Sequence, residues 1–146
     1  MKYVEILLVE DNPGDAELTL RALKKNQMVN KITHVIDGEE ALNYIYRKGI
    51  YKDREKSGFP RLIILDLKLP KVDGLEVLRI LKNDPETQKI PIVVMTSSKQ
   101  ESDLVESYHL GVNSYMIKPL DFEEFTKAVS ALGLYWALLN EMTDNN

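Results

Sequence analysis

Four short apolar runs in this chain end on side chains that can do chemistry. Val4 to Val9 leads into Glu10-Asp11, Leu62 to Leu65 into Asp66, Ile92 to Met95 into Thr96-Ser97, and Tyr115 to Ile117 into Lys118-Pro119. If these runs are neighbouring parallel strands, three carboxylates, a hydroxyl and an ammonium collect at one sheet edge, where open α/β folds keep their chemistry. Glu10, Asp11 and Asp66 cannot all stay ionised side by side without a counter-charge, because like charges raise carboxylate pKa values and keep protons bound. Oxygen donors with no nearby His or Cys favour a hard divalent ion, and Mg²⁺ is the usual one where phosphoryl oxygens complete its shell. The set suits phosphoryl transfer to Asp66 as a carboxylate nucleophile. The ion and Lys118 would neutralise charge on the transferred group, and the Thr96 hydroxyl would donate to it once it is present, reporting whether Asp66 is modified.

Each residue alone has a duller use. Asp11 can cap the helix that follows it, Asp66 can sit in a turn, Thr96 or Ser97 can cap, and Lys118 can be a solvated charge. Their joint placement at four run ends is what favours the chemical reading.

The elements that must position them follow from periodicity. Short apolar runs alternate with helical segments five times, the pattern of βαβ units in a doubly covered, mostly parallel sheet. The first strand is expected near Lys2 to Val9, then a helix from about Gly14 to Asn26 with Ala16, Leu20 and Leu23 on one face. A weaker strand follows over Ile32 to Ile36, then a turn at Asp37-Gly38 and a helix buried through Ala41, Leu42, Ile45 and Tyr46, ended by Gly49. Ile50 to Arg61 reads as a solvated surface insertion. Beyond Asp66, Pro70 and Gly74 bracket a turn into a helix through Leu75, Leu78 and Leu81 that stops at Asp84-Pro85. Ile90 to Met95, a helix from Gln100 to Leu110 capped by Gly111, and a strand over Ser114 to Ile117 come next. In the last helix Phe122, Phe125, Val129, Leu132, Trp136 and Leu139 form a long apolar stripe.

With 146 residues the chain is expected to form one domain over 1–142 with a frayed tail over 143–146 and no output domain. The net charge of −4, from 23 acidic and 19 basic residues, gives no basic field for nucleic acid, so direct DNA binding is not expected. The absence of cysteine excludes a disulfide framework and a thiolate metal site. With no run long enough to span a membrane and no targeting signal, a cytoplasmic protein is expected.

Read together, Leu8-Val9-Glu10-Asp11-Asn12, Asp37-Gly38, Leu65-Asp66, Leu69-Pro70 with Asp73-Gly74, Thr96-Ser97, and Tyr115 with Lys118-Pro119 resemble the receiver domain of two-component response regulators. The likeness runs from about Val4 to Leu132. Through Glu10-Asp11-Asn12-Pro13-Gly14-Asp15, the loop before Pro60, and Ser107-Tyr108 ahead of Gly111, the chain looks most like stand-alone receivers that serve phytochrome kinases. The resemblance implies a flavodoxin-like (βα)5 sandwich with strand order 2-1-3-4-5. It also implies that Asp66 accepts a phosphoryl group from a sensor histidine kinase, of phytochrome type. Asp11 and Asp66 would bind Mg²⁺ directly, Glu10 through water, and the Lys68 main-chain carbonyl would complete the protein ligands. Thr96 and Tyr115 would be the coupled switch pair, and Lys118 would reach the phosphoryl group through a cis peptide to Pro119. Lys68 and Ser98, each two residues beyond a site residue, flank the route of attacking water, and the Lys68 ammonium has a use as a partner of Glu10 when metal is absent.

A haloacid-dehalogenase-like phosphatase would share the Asp nucleophile and Mg²⁺, but it needs a second Asp where Lys68 stands. A cofactor binder of similar topology would be repelled by Glu10, Asp11 and Asp15, and no Gly-rich nucleotide loop is present. His34 and His109 lack partners at metal spacing and read as ordinary histidines. The length of the last stripe suggests a homodimer helped by Tyr135, Trp136 or Leu139, using the fourth helix, fifth strand and fifth helix, the surface that would also carry the signal.

Overall fold

The computed structural model describes residues 5–24, 31–54, 59–112, 114–119, 121, 123–125 and 127. Its elements are β1 (Glu5–Val9), α1 (Pro13–Lys24), β2 (Lys31–Val35), α2 (Gly38–Tyr46), a 3-10 turn (Gly49–Tyr51), β3 (Leu62–Asp66), α3 (Gly74–Asn83), β4 (Ile92–Thr96), α4 (Lys99–Glu106) and β5 (Ser114–Ile117). All strand pairs are parallel and the order is β2-β1-β3-β4-β5, the flavodoxin-like doubly wound arrangement. Every residue of β3 and β4 is buried, which is why both read as unbroken apolar runs.

Alternation along the strands sends side chains to two cores. On one face Leu7, Val9, Leu65 and Val94 pack with Ala41 and Ile45 of α2, Val77, Leu78 and Leu81 of α3, and Val105 of α4. On the other, Ile6, Leu8, Ile64 and Met95 meet Ala22 and Leu23 of α1 and Phe125. Asp66 follows Leu62 and Ile64 onto the α1 side, whereas Thr96 follows Ile92 and Val94 onto the α4 side. The half-buried Tyr115 packs against that α4-side core too.

Helix starts depend on side chains placed just ahead of them. Asn12 accepts from the Asp15 amide at 2.9 Å, Asp37 from Glu40 at 2.7 Å, Asp73 from Glu76 at 2.9 Å and Ser98 from Glu101 at 3.2 Å. The capping duties that Asp11, Thr96 and Ser97 were each able to perform thus fall to Asn12 and Ser98, and Asp37-Gly38 is a helix start rather than a free turn.

Two helix ends differ from expectation. Gly49 does not close α2: Arg47 takes the left-handed cap itself (φ 56°) and its amide donates back to Asn43 and Tyr44, while Gly49 opens the 3-10 turn. α4 stops at Glu106, not Leu110, because Ser107 and two following turns intervene before Gly111. In those turns His109 already adopts φ 52°. The insertion is also less solvated than its composition suggests. Tyr51 stacks edge-on against Tyr44 at 5.0 Å and donates to Glu40, and Arg54 lies 4.3 Å over the Tyr44 ring while its Nε donates to the Tyr44 carbonyl. Ile50, at 86% exposed, fits the solvated reading, as do the exposed Lys52 and Asp53. Of the last helical stripe, Phe125 is buried, and Phe122, Val129, Leu132, Tyr135, Trp136 and Leu139 lie outside the described residues, as do 128–146.

Two glycines let the loop after Asp66 pack tightly. A Cβ on Gly74 would lie 2.3 Å from the Asp66 carbonyl and 2.5 Å from the Leu67 Cα, and one on Gly38 would lie 1.8 Å from the Val72 carbonyl. These obstacles are backbone, so they cannot rotate away. Gly74→Ala is therefore expected to lower unfolding free energy by roughly 2 kcal/mol or more. A urea denaturation series checks this, and a midpoint equal to wild type would contradict the packing described.

Candidate functional site

β1 delivers Glu10, β3 delivers Asp66, and the turn after β5 delivers Lys118, through a cis peptide to Pro119. Parallel neighbours in register end together, so these three meet although 108 positions separate Glu10 from Lys118 in the sequence. The Lys118 ammonium lies 2.7 Å from Glu10, 2.9 Å from Asp66 and 3.1 Å from Asp15 on the first turn of α1. Glu10 and Asp66 are only 3% and 4% exposed, whereas Asp11 is exposed. Carboxylate oxygens of Glu10, Asp11 and Asp66 all lie within 4.8 Å of one another.

The balance of charge is uneven. Counting Asp15, four carboxylates face one ammonium. Burial pushes the Glu10 carboxyl up to about 7, and neither Lys118 nor the Asn12 amide, which donates to it at 3.1 Å, fully offsets this. Burial alone would lower the Lys118 pKa, but its contacts with Glu10 and Asp66 hold the ammonium above its ordinary range, so it stays charged. Three oxygen donors, with no imidazole or thiol among them, fit a small hard divalent cation. Glu10, Asp11 and Asp66 could each offer it one oxygen.

Other site residues are placed less directly. Thr96 is fully buried, and its hydroxyl donates to the Ser98 carbonyl at 3.0 Å rather than to Asp66. Tyr115 sits on the same side of the sheet as Thr96, two residues short of its β5 partner Ile117. The Lys68 amide donates to Asp66 at 3.3 Å, while its ammonium turns away from Glu10 and pairs with Glu101 at 3.6 Å. That corrects the expected Lys68–Glu10 pairing: Lys118 already fills the Glu10 position, and Lys68 is 75% exposed. Asp15, as a partner of Lys118, and Glu101 were not singled out from sequence. Asp15 carried a signal in the run Glu10 to Asp15, one helical turn past the acidic pair. His34 also contributes, donating from Nε2 to the Glu10 carbonyl at 2.8 Å.

Fold and site together define an α/β module with a buried aspartate, an acidic cluster that could hold a cation and a counter-charged lysine at the carboxyl edge of its sheet. Residues 6–130 match the response regulator receiver domain, and the chain belongs to that family. It is 42% identical over 131 residues to the probable methanogenesis regulatory protein FilR2 of Methanothrix harundinacea, covering 90% of this chain and 82% of that protein. To the response regulator Rcp1 of Synechocystis sp. it is 39% identical, over 90% and 87% of the two chains. Among solved structures it is similar to the bacteriophytochrome response regulator AtBRR (TM-score 0.87, 51% identity, 93% and 96% coverage). It is also similar to phosphorylated RcpA, a cyanobacterial phytochrome response regulator (0.74, 38%, 93% and 95%), and to the Mn²⁺-bound form of Rcp1 (0.71, 38%, 90% and 93%). AtBRR and RcpA are phytochrome response regulators, and receiver domains are signalling modules. Among the described residues no helix is long and apolar enough to cross a membrane.

Because Glu10 binds its proton more tightly when folded than unfolded, the metal-free protein should lose stability as pH rises from 4.5 through about 7. A cation competes with that proton. Mg²⁺ affinity by titration calorimetry should therefore strengthen about tenfold between about pH 6 and pH 8, with proton release at the lower pH. Binding that does not change with pH would contradict the raised Glu10 pKa.

Proposed function

We propose that this chain is a phosphoacceptor response regulator, taking a phosphoryl group from a sensor histidine kinase onto Asp66. The observation that supports this most is the position of Asp66, buried beside Glu10 and Asp11 with the Lys118 ammonium 2.9 Å from its carboxylate. Transfer breaks the phosphorus–nitrogen bond of a phosphohistidine and forms a phosphorus–oxygen bond to Asp66. The leaving imidazole nitrogen takes its proton from the kinase side or from water. The phosphorylated relative RcpA and the Mn²⁺-bound relative Rcp1 support a phosphoryl group and a divalent ion in this family.

Mg²⁺ would be held by Asp11, Asp66 and the Lys68 main-chain carbonyl, with Glu10 acting through water. When bound, it supplies the positive charge that lets an anionic phosphoryl group enter an acidic pocket. Lys118 then exchanges carboxylate contacts for a phosphoryl oxygen, adding a second cationic contact. The Thr96 hydroxyl leaves the Ser98 carbonyl to donate to the phosphoryl group, and Tyr115 turns into the space that opens. The changed surface of α4, β5 and the following helix passes the signal to a partner or a second copy of the chain. Full conversion needs about 5.5 kcal/mol of differential stabilisation, so phosphorylation shifts a population rather than throwing an absolute switch. The same site returns the phosphoryl group to water, at a rate that Lys68 and Ser98 help to set. A phytochrome-type kinase is the partner that the likeness to AtBRR, RcpA and Rcp1 favours, and the reaction belongs in the cytoplasm. Neither direct DNA binding nor turnover of phosphomonoesters is part of this function. Lys68, at the position a phosphatase needs for its general acid, is paired with Glu101.

With Mg²⁺ and a small phosphodonor, intact mass should show one base-labile phosphoryl group added. Asp66→Ala, or omission of Mg²⁺, should abolish it. Unchanged labelling of Asp66→Ala would overturn the assignment.

A further inference from the structure

The Thr96 end of the site is tied down by a side chain with no part in the acidic cluster. Ser98 accepts from the Glu101 amide at 3.2 Å, and its carbonyl takes both the Ser102 amide at 3.2 Å and the Thr96 hydroxyl at 3.0 Å. In the usual capping box the acidic side chain reaches back to the amide of the cap residue itself. Here it overshoots by one residue. The Glu101 carboxylate accepts from the Ser97 amide at 3.4 Å and the Ser97 hydroxyl at 3.1 Å, and pairs with Lys68 at 3.6 Å. One carboxylate therefore joins α4 to the link after β4 and to the loop that follows Asp66. Ser97 lies between Thr96, whose hydroxyl must be released, and Ser98, whose carbonyl now holds it.

We propose that Glu101 is a positioning residue for the switch, holding Ser97, and with it the Thr96 to Ser98 segment, in the resting arrangement. This rests on the reading of Asp66 as phosphoacceptor. Of the two sets of contacts, those to Ser97 carry the restraint. The Lys68 ammonium is 75% exposed, and a solvated ion pair contributes little. Removing the Glu101 carboxylate frees the segment to follow Thr96 toward the phosphoryl group, so the activated form gains relative to the resting one.

Beryllofluoride, which mimics a phosphoryl group on a carboxylate, tests this when titrated in the presence of Mg²⁺, with urea midpoints measured in parallel. Glu101→Ala should bind it about fivefold tighter than wild type, the loss of roughly one net hydrogen-bond contribution from the resting state. Glu101→Gln keeps an acceptor for Ser97 and loses the ion pair, so it should stay within about twofold of wild type. Lost packing alone would weaken binding, so tighter binding by Glu101→Ala separates positioning from damage. Unchanged or weaker binding by Glu101→Ala overturns the proposal, as does Glu101→Gln behaving like Glu101→Ala. Failure of wild type to bind beryllofluoride overturns the phosphoacceptor reading, and this inference with it. Binding by wild type without tightening in Glu101→Ala overturns this inference alone.

Discussion

A single ammonium group, Lys118, lies among carboxylates that belong to three separate parts of the chain. Glu10 comes from the end of β1, Asp66 from β3 and Asp15 from α1, and none of them is local to Lys118 in sequence. Taking two carboxylates out of water is costly unless charge is returned, and the ammonium returns one unit while four acidic groups demand more. Hence Glu10 keeps a proton up to about pH 7, and the site is built to accept further positive charge. In the proposed function a divalent cation supplies it, and a phosphoryl group follows.

The sheet makes this crowding possible. Strands in parallel register bring their carboxyl ends to one edge, and alternation then sorts the residues by side. Asp66 faces α1 with the acidic groups, whereas Thr96 and Tyr115 face α4. In the proposed function the two sides have different tasks, one holding charge and the other transmitting its arrival. Gly38 and Gly74 allow the loop after Asp66 to lie against the sheet edge, where any Cβ would strike backbone. Asp66 ends β3 and Thr96 ends the neighbouring β4, so the two sides meet at adjacent strand ends.

Much of this was legible in the sequence. Buried parallel strands appear as plain apolar runs, so the run ends that carry Glu10, Asp11, Asp66, Thr96 and Lys118 could be located, and the strand order followed from the family likeness. What was not legible depended on which of several chemically equal residues would be used. Asn12 rather than Asp11 caps α1, because the chain enters the helix one residue later, and Ser98 rather than Thr96 or Ser97 caps α4 for the same reason. Arg47 closes α2 in a left-handed conformation that composition assigns to Gly49, because the 3-10 turn claims the glycine. The Glu101 contacts, and the packing of Tyr51 and Arg54 against Tyr44, join segments whose approach no periodicity encodes.

In the proposed function one cation completes the charge of this cluster beside Asp66. Anomalous diffraction from crystals soaked in Mn²⁺ addresses it most directly. A peak within bonding distance of both the Asp11 and Asp66 carboxylates, with Lys118 still close by, is the result this account predicts. Manganese bound only elsewhere, or a cluster that stays empty at saturating metal, would contradict it.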